Sequence, residues 1–283
     1  MKILMLGASG MAGHMISLFF SENGYDVSAF SRSPCSFVKH IKGDVKNLSF
    51  LKEIIVEHEY DAVVNAVGLL NQEAEDDKAS AVFLNSYLPH FLSSLTKEKK
   101  TRIIQMSTDC VFSGKTGGYS ESSFPDGETF YDRSKALGEL MNEKDLTFRN
   151  SIVGPDMKAD GIGLFNWFMK QKGEINGYRK VIWTGVTTLT LAKAMKAALE
   201  CNLTGLYNLV NNETISKYDL LRLFNTYLRE DKILIHPEDS VVSDKSLRNN
   251  RTDFAFVVPS YEEMVKEMRD WLLSHKELYS HYF

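Results

Sequence analysis

The chain has 283 residues, 43% of them hydrophobic and 25% charged, and carries a formal net charge of −4. This composition is typical of a folded globular protein and disfavours a disordered chain. The slight negative charge and the lack of a long basic run argue against nucleic acid as the main partner.

The cysteines and the hydropathy pattern bear on the compartment. Cys35, Cys110 and Cys201 are widely spaced, odd in number and form no C-x-x-C pair, so neither a disulfide framework nor a zinc site is expected. No apolar run approaches the roughly 18 residues of a membrane span. We therefore predict a cytoplasmic protein with no metal site and no membrane partner.

The first element is an apolar strand at 2–6 that enters Gly7, Gly10 and Gly13, spaced as G-x-x-G-x-x-G. Such glycines permit a tight turn, a close backbone approach to a pyrophosphate and close packing of the next helix, predicted at 11–23. A glycine turn without a ligand is the alternative. The pattern predicts dinucleotide contacts from Gly7, Ser9, Gly10 and Met11.

Short apolar runs alternate with helical patterns through the first half of the chain. The segments are 2–6, 11–23, 27–30, 48–58, 61–66 and 102–107. This alternation is typical of βαβ units, so we predict an α/β protein with a Rossmann-type, doubly wound parallel sheet. Ligands of such sheets bind beyond the carboxyl ends of the strands.

The end of the second strand bears on the choice of cofactor. NAD sites typically carry an acid there, whereas a 2′-phosphate needs cations and hydroxyl donors. The strand at 27–30 is followed by Ser31 and Arg32, with no acid. NADPH is therefore favoured over NADH, although a solvated loop charge is the alternative for Arg32.

Two polar segments carry candidate chemistry. Tyr131 and Lys135 are four residues apart, on one face of a predicted helix, where a nearby ammonium is expected to lower the pKa of the phenol. An ordinary exposed helix pair is the alternative. Upstream, a strand ends in Ser107, Thr108 and Asp109, where a hydroxyl is suited to bind a substrate carbonyl, or to cap backbone amides.

The pattern changes after the first half of the chain. Gly154-Pro155 interrupts it, an aromatic-rich helix is predicted at 164–172, a helix at 189–200 and a strand at 205–210. Capping patterns at Ser216 and Ser260 predict two further helix starts. We predict a Rossmann domain at 1–153, with returning elements around 186–212, and a smaller C-terminal α/β substrate lobe at 154–283.

The predicted lobe contains candidates for substrate binding. Trp183, like Phe165 and Trp167, is suited either to stack on a base or to pack in the core. Arg248 and Arg251 lie in an Asn-rich loop, where an arginine can clamp a pyrophosphate or simply face solvent. Arg248 is the preferred candidate, beside Asp109.

Together these motifs resemble the extended short-chain dehydrogenase/reductase superfamily, and most of all its dTDP-4-dehydrorhamnose reductase group. The resemblance covers essentially the whole chain. It rests on GASGMAG at 7–13, GDV at 43–45, NAVG at 65–68, NSYLP at 85–89, STDCVFSG at 107–114, YDRSK at 131–135, NSIVGP at 150–155 and GVTTLTLAKAM at 185–195.

The resemblance implies an NADPH-dependent reductase of a nucleotide-linked 4-keto-6-deoxy sugar, acting in the synthesis of surface polysaccharide sugars. It implies a catalytic set of Thr108, Tyr131 and Lys135, with Tyr131 and Lys135 also at the cofactor. A homodimer is left open. The other implied cofactor residues are Asp44, Val45, Ala66, Val67, Gly68 and Asn85. Of these, Asn85 is expected to support the site from a neighbouring helix, with a helix-surface residue or an N-cap as the alternative.

The chain departs from the group's pattern at Cys110, where an aromatic residue is usual, and at 181–184, so the sugar and base stay open. Two alternatives also stay open. One is a nucleotide-sugar epimerase or dehydratase with tightly held NAD, against which Ser31 and Arg32 argue. The other is a non-catalytic NADP-binding regulatory subunit, which has no need of Tyr131 and Lys135.

Overall fold

The computed structural model describes all residues, 1–283, as a mixed α/β protein. The strands, in chain order, are β1 Lys2–Leu6, β2 Asp26–Ser31, β3 Lys39–Lys42, β4 Ala62–Asn65, β5 Arg102–Met106, β6 Leu146–Arg149, β7 Ser151–Val153, β8 Glu174–Tyr178, β9 Val181–Trp183, β10 Gly185–Thr187, β11 Gly205–Asn208, β12 Ile215–Ser216, β13 Leu234–Glu238 and β14 Ser243–Asp244.

The α-helices are interspersed among these strands. They are α1 Met11–Glu22, α2 Leu48–Glu57, α3 Asn71–Asp76, α4 Lys78–Ala81, α5 Leu88–Leu95, α6 Phe130–Ala136, α7 Leu164–Met169, α8 Thr188–Glu200, α9 Lys217–Arg229 and α10 Tyr261–Ser274. A π-helical segment, Val82–Tyr87, joins α4 to α5. Short 3₁₀ turns lie at Asp109–Val111 and Ser280–Tyr282.

Seven strands form the central sheet in the order β11-β6-β5-β4-β1-β2-β3, and every neighbouring pair is parallel. Successive side chains of a strand point to opposite faces. Accordingly, Ile3 and Met5 of β1 join a core beneath α1 and α8, whereas Leu4 and Leu6 join a second core with α2 and α5. Helices thus cover both faces, as in a doubly wound fold.

The second half of the chain adds small sheets around α7, α9 and α10. β8 pairs with β13, and β9 lies between β12 and β14. The N-terminus of α9 is capped by Ser216, and Ser260 forms a capping box with Glu263 at the start of α10. The chain also returns to the main sheet, because β11 pairs with β6 at its edge.

The predicted α/β class and parallel sheet are confirmed. β3 was not predicted, because its sequence KHIK has no clear apolar alternation. The helix predicted at 164–172 is shorter, since α7 ends at Met169 and a glycine follows soon after at 173. No helix combines the length and apolar character needed to cross a bilayer.

Candidate active site

The glycine turn joins β1 to α1. Gly7 has φ +84°, a conformation that glycine adopts without strain, and its carbonyl accepts from the amide of Gly10 at 3.0 Å. A Cβ at Gly13 would lie 2.1 Å from the Gly7 carbonyl oxygen, so only glycine lets α1 approach the turn this closely. The amides at the start of α1 are thereby brought to the edge of the sheet.

A cleft of about 610 Å³, here called the first cleft, opens beyond the carboxyl ends of β1, β2 and β4. It brings together most of the residues expected to bind a dinucleotide. These are Gly7, Ser9, Gly10, Ser31, Arg32, Asp44, Val45, Ala66, Val67 and Gly68.

The end of β2 presents a cation to the first cleft. Arg32 is exposed there, and no ion pair engages its guanidinium. The Ser31 hydroxyl donates to the carbonyl of Ser33 at 2.7 Å. Lys46, which sequence reasoning missed although it directly follows the GDV segment, lines the same cleft and donates to Ser80 at 2.7 Å.

Acidic side chains that line the first cleft were also missed. Glu73, Asp76 and Asp77 line it from α3 and the start of α4. Their segment, NQEAEDDK, has the composition of a solvent-exposed helix, so its sequence gives no sign that it borders a ligand cleft. Its position depends on the packing of α3 against α6.

A second cleft, of about 700 Å³, adjoins the first and shares Ser9, Gly10 and the 66–68 segment with it. Thr108, Asp109, Cys110, Tyr131, Lys135 and Met11 line it. Parallel strands place their carboxyl ends at one edge, which is why segments far apart in the chain meet here.

Thr108 follows β5 and begins a 3₁₀ turn. Its Oγ1 accepts from the amide of Cys110 at 3.1 Å and lies 3.2 Å from Oδ1 of Asp109, to which it donates. The structure shows the capping role, and because Thr108 also lines the second cleft, the contact with a substrate carbonyl stays a prediction.

Helix α6 places Tyr131 and Lys135 on one face. Thr129 and Asp132 form a capping box that starts the helix, and Tyr131 and Lys135 are each 7% exposed. The ammonium of Lys135 donates to the carbonyl of Met106 at 2.6 Å, which ties α6 to the end of β5.

The prediction that the pKa of Tyr131 is lowered is wrong for the protein without bound ligands. Burial raises the pKa of Tyr131, and the neighbouring Cys110 and Asp109 raise it further, while the Thr108 hydroxyl opposes them. Burial also lowers the pKa of Lys135 to about 8, against the charge of Glu139. Helical spacing predicted the shared face but not the desolvation of both groups.

Asn85 does not line either cleft, so a direct cofactor contact stays a prediction, while its bonds fit the role of supporting the site from a neighbouring helix. Its side chain is fully buried in the π-helical segment. It accepts from the amide of Leu69 at 2.9 Å and donates to the Leu69 carbonyl and to the Ser134 hydroxyl, each at 3.0 Å. Asn85 therefore joins the cleft-lining 66–70 segment to α6, which is a supporting role.

The substrate candidates are placed differently from one another. Trp183 is 3% exposed, lines neither cleft and packs against Tyr261, so the structure shows the core-packing role of the two that the sequence left open. Asp109 lines the second cleft, and burial raises its pKa. Arg251 donates to the carbonyls of Thr204 and Leu206, whereas Arg248 is exposed and stays a prediction.

A buried ion pair supports this edge of the sheet and was not found from sequence. Arg149, at the end of β6, donates to both carboxylate oxygens of Glu139 at 2.8 and 2.6 Å. The side chains are 1% and 0% exposed. Ser107 donates to the same carboxylate at 2.6 Å, so the pair holds the residue before Thr108.

The turn also fits a bound dinucleotide. A Cβ at Gly10 would meet no heavy atom of the chain closer than 3.5 Å, so internal packing does not require glycine there. A ligand that approaches the backbone closely does require it. The free amides of α1, the cation of Arg32 and the continuous clefts are consistent with an extended anionic ligand.

The fold and this arrangement of residues define an extended short-chain dehydrogenase/reductase. Residues 1–273 match the model of the RmlD substrate binding domain family. The chain belongs to this family.

Curated relatives agree with that placement. A probable low-salt glycan biosynthesis reductase of Haloferax volcanii is 25% identical over 86% of this chain and 85% of its own length. A probable dTDP-4,6-dihydroxy-2-methyloxan-3-one 4-ketoreductase of Streptomyces antibioticus is 31% identical, over 49% of this chain. The latter alignment spans 45% of that relative's length.

Solved structures share the fold. dTDP-4-dehydrorhamnose reductase from Bacillus anthracis, in complex with NADP, superposes with a TM-score of 0.80 at 19% identity and covers 94% of this chain and 98% of its own. A hypothetical dTDP-4-dehydrorhamnose reductase from Sulfolobus tokodaii gives 0.76 at 23% identity, covering 93% of this chain and 98% of its own.

Proposed function

We propose that the protein reduces the C4 keto group of a nucleoside-diphosphate-linked 4-dehydro-6-deoxy sugar, with NADPH as cofactor. The observation that carries the proposal is the second cleft, where Thr108, Tyr131 and Lys135 line a space continuous with the glycine turn. The names of the relatives, which include several 4-ketoreductases, support the substrate class.

When bound, NADPH supplies the hydride for the C4 carbon. Tyr131 donates its phenolic proton to the carbonyl oxygen as the C=O π bond breaks, so that the keto group becomes a hydroxyl. A phenol is protonated at neutral pH, and because burial raises the pKa of Tyr131 and so weakens it as an acid, the proton transfer depends on groups that stabilise the phenolate. The Thr108 hydroxyl, which donates to Asp109 in the structure, can donate to the same substrate oxygen once it turns from Asp109, and the charged form of Lys135 stabilises the phenolate left behind.

The preference for NADPH rests on the first cleft. Arg32 is an unpaired cation at the end of β2, where NAD sites commonly hold an acid. A guanidinium at this position favours a 2′-phosphate through charge-assisted hydrogen bonds. The same feature argues against the recycled NAD of an epimerase or dehydratase.

The direct test is NADPH oxidation with dTDP- and UDP-linked 4-keto-6-deoxy sugars, generated in situ by 4,6-dehydratases. We expect turnover with at least one of them, faster with NADPH than with NADH, and a 4-hydroxy sugar as product. NADPH binding without turnover on any sugar would favour the regulatory alternative. Purification with tightly held NAD would favour an epimerase or dehydratase.

A further inference from the structure

The segment that follows α10 crosses the cofactor-binding end of α1. Tyr279 is fully buried, and its hydroxyl lies 2.8 Å from Nε2 of His14. The indole nitrogen of Trp271 donates to the same hydroxyl at 3.3 Å. On the other side of its ring, Nδ1 of His14 lies 3.1 Å from the carbonyl oxygen of Gly10.

These contacts fix the direction of each hydrogen bond. A carbonyl oxygen only accepts, so Nδ1 of His14 carries the proton, and Nε2 accepts from Tyr279. Burial lowers the pKa of His14, which favours this neutral imidazole. A directed chain of hydrogen bonds therefore runs from Trp271 through Tyr279 and His14 to Gly10 in the glycine turn.

Tyr282, three residues further along, bonds to the chain beside the second cleft. Its hydroxyl accepts from the amide of Asp156 at 2.9 Å and donates to the buried side chain of Asn166. Asn166 in turn donates to the carbonyls of Ile162 at 2.7 Å and Gly154 at 3.3 Å. The 154–162 loop that these bonds hold contributes Asp156, Lys158, Asp160, Gly161 and Ile162 to the second cleft.

We propose that Tyr279 and Tyr282 are positioning residues, of which Tyr279 fixes the glycine turn through His14 and Tyr282 fixes the 154–162 loop. Neither tyrosine lines a cleft, so each acts through the residues it holds. The inference rests on the proposed function only for the identity of the ligands, which are a dinucleotide at the glycine turn and a nucleotide sugar at the 154–162 loop.

The two roles are separable by Tyr279→Phe and Tyr282→Phe, which each remove one hydroxyl. Tyr227→Phe is the matched control, because the Tyr227 hydroxyl also bonds within the second half of the chain, to Glu262 on the surface. For all four proteins, backbone hydrogen exchange and NADP⁺ affinity are measured, and KM and kcat wherever a keto sugar is turned over.

For Tyr279→Phe we expect faster exchange at 8–16 and NADP⁺ affinity weakened roughly five- to tenfold, as for one lost hydrogen bond. For Tyr282→Phe we expect faster exchange at 154–162, an unchanged NADP⁺ affinity and a raised KM for the sugar with kcat nearly kept. The control should match the wild type.

The inference would be overturned if both variants accelerated hydrogen exchange equally at 8–16 and 154–162, because that is the result of a general loss of stability. It would also be overturned if neither variant changed the exchange of either segment. A wild type that binds no NADP⁺ would instead overturn the proposed function. In that case, hydrogen exchange at 8–16 and at 154–162 in the two variants would still test whether each tyrosine holds its segment in place.

Discussion

Lys135 is the residue at which burial and function conflict most directly. Its ammonium is removed from water, and burial lowers its pKa from the usual value near 10.5 to about 8. The bond to the Met106 carbonyl and the charge of Glu139 only partly compensate. The protein therefore keeps a costly charge beside its candidate proton donor, as is common at functional sites.

This cost predicts a dependence of stability on pH. Between about pH 8 and 10.5 the unfolded chain binds more protons at this lysine than the folded one, so the contribution of Lys135 to folding becomes more favourable as pH rises. The test is the free energy of unfolding in urea, measured for Lys135→Met and for the wild type at pH 7 and pH 10.5. The difference, variant minus wild type, should be about 3 kcal/mol larger at pH 7 than at pH 10.5, at roughly 1.4 kcal/mol per pKa unit. The same difference at both pH values would show that Lys135 titrates normally.

Single residues were predictable from sequence where a motif fixes their position. The glycine turn, the serine and arginine after β2, and the Tyr131 and Lys135 pair all lie at a cleft. The roles of Trp183 and Asn85 could not be decided from sequence, because their residue types suit both a ligand site and the interior. Only the packing of Trp183 against Tyr261, and of Asn85 against the 66–70 segment and α6, decides between these roles.

At the scale of elements, the turn between β1 and α1 contains one glycine that the packing of the fold requires and one that a bound ligand would require. Gly13 lies against the carbonyl of Gly7, whereas a Cβ at Gly10 would meet that carbonyl oxygen only at an ordinary contact distance of 3.5 Å. One glycine is thus required by packing and the other by whatever approaches the turn.

Two alanine variants test this division. Gly10→Ala should fold with nearly wild-type stability but lose most of its NADP⁺ affinity, because the new methyl group occupies the approach of the pyrophosphate. Gly13→Ala should lose at least about 1 to 3 kcal/mol of stability through overpacking. Thermal unfolding and NADP⁺ titration measure both. Undiminished affinity in Gly10→Ala would mean that no ligand lies at the turn.

The elements found from sequence are those with strong local signals. Capping residues at Ser216 and Ser260 start α9 and α10 as predicted. The π-helical segment Val82–Tyr87 and the short strand β3 were missed, since their backbone bonds depend on neighbours brought together only in the folded chain. Asn85, in the π-helical segment, shows that such irregular elements can support a site.

At the scale of the whole molecule, the order of the parallel strands sets the site. β5 and β6 are neighbours in this order. The Arg149–Glu139 pair joins the end of β6 to the segment just after α6. Ser107, which follows β5, donates to the same Glu139 carboxylate. Ser107, Glu139 and Arg149, which are distant in sequence, thereby meet next to Thr108. Their partnership could not be read from sequence because neither spacing nor residue type identifies it.

Breaking this buried pair should be costly. Glu139→Gln leaves the Arg149 guanidinium buried without a carboxylate, and we expect a loss of about 3 to 5 kcal/mol in the free energy of unfolding. Glu139→Leu combined with Arg149→Met should recover only part of it, because the unpaired guanidinium is removed but the buried ammonium of Lys135 also loses the carboxylate charge of Glu139. Urea unfolding compares the variants, with the exposed Glu128→Gln as a control of little effect. Equal stability of Glu139→Gln and wild type would contradict the account.

The most direct test of the central claim compares wild type with Tyr131→Phe in NADPH oxidation on the accepted keto sugar, together with NADPH affinity. If Tyr131 is the proton donor, turnover falls roughly 10²- to 10⁴-fold while NADPH affinity stays near that of the wild type. Retained turnover would show that another group supplies the proton. A parallel loss of turnover and of NADPH binding would show that Tyr131 serves the cofactor site rather than the chemistry.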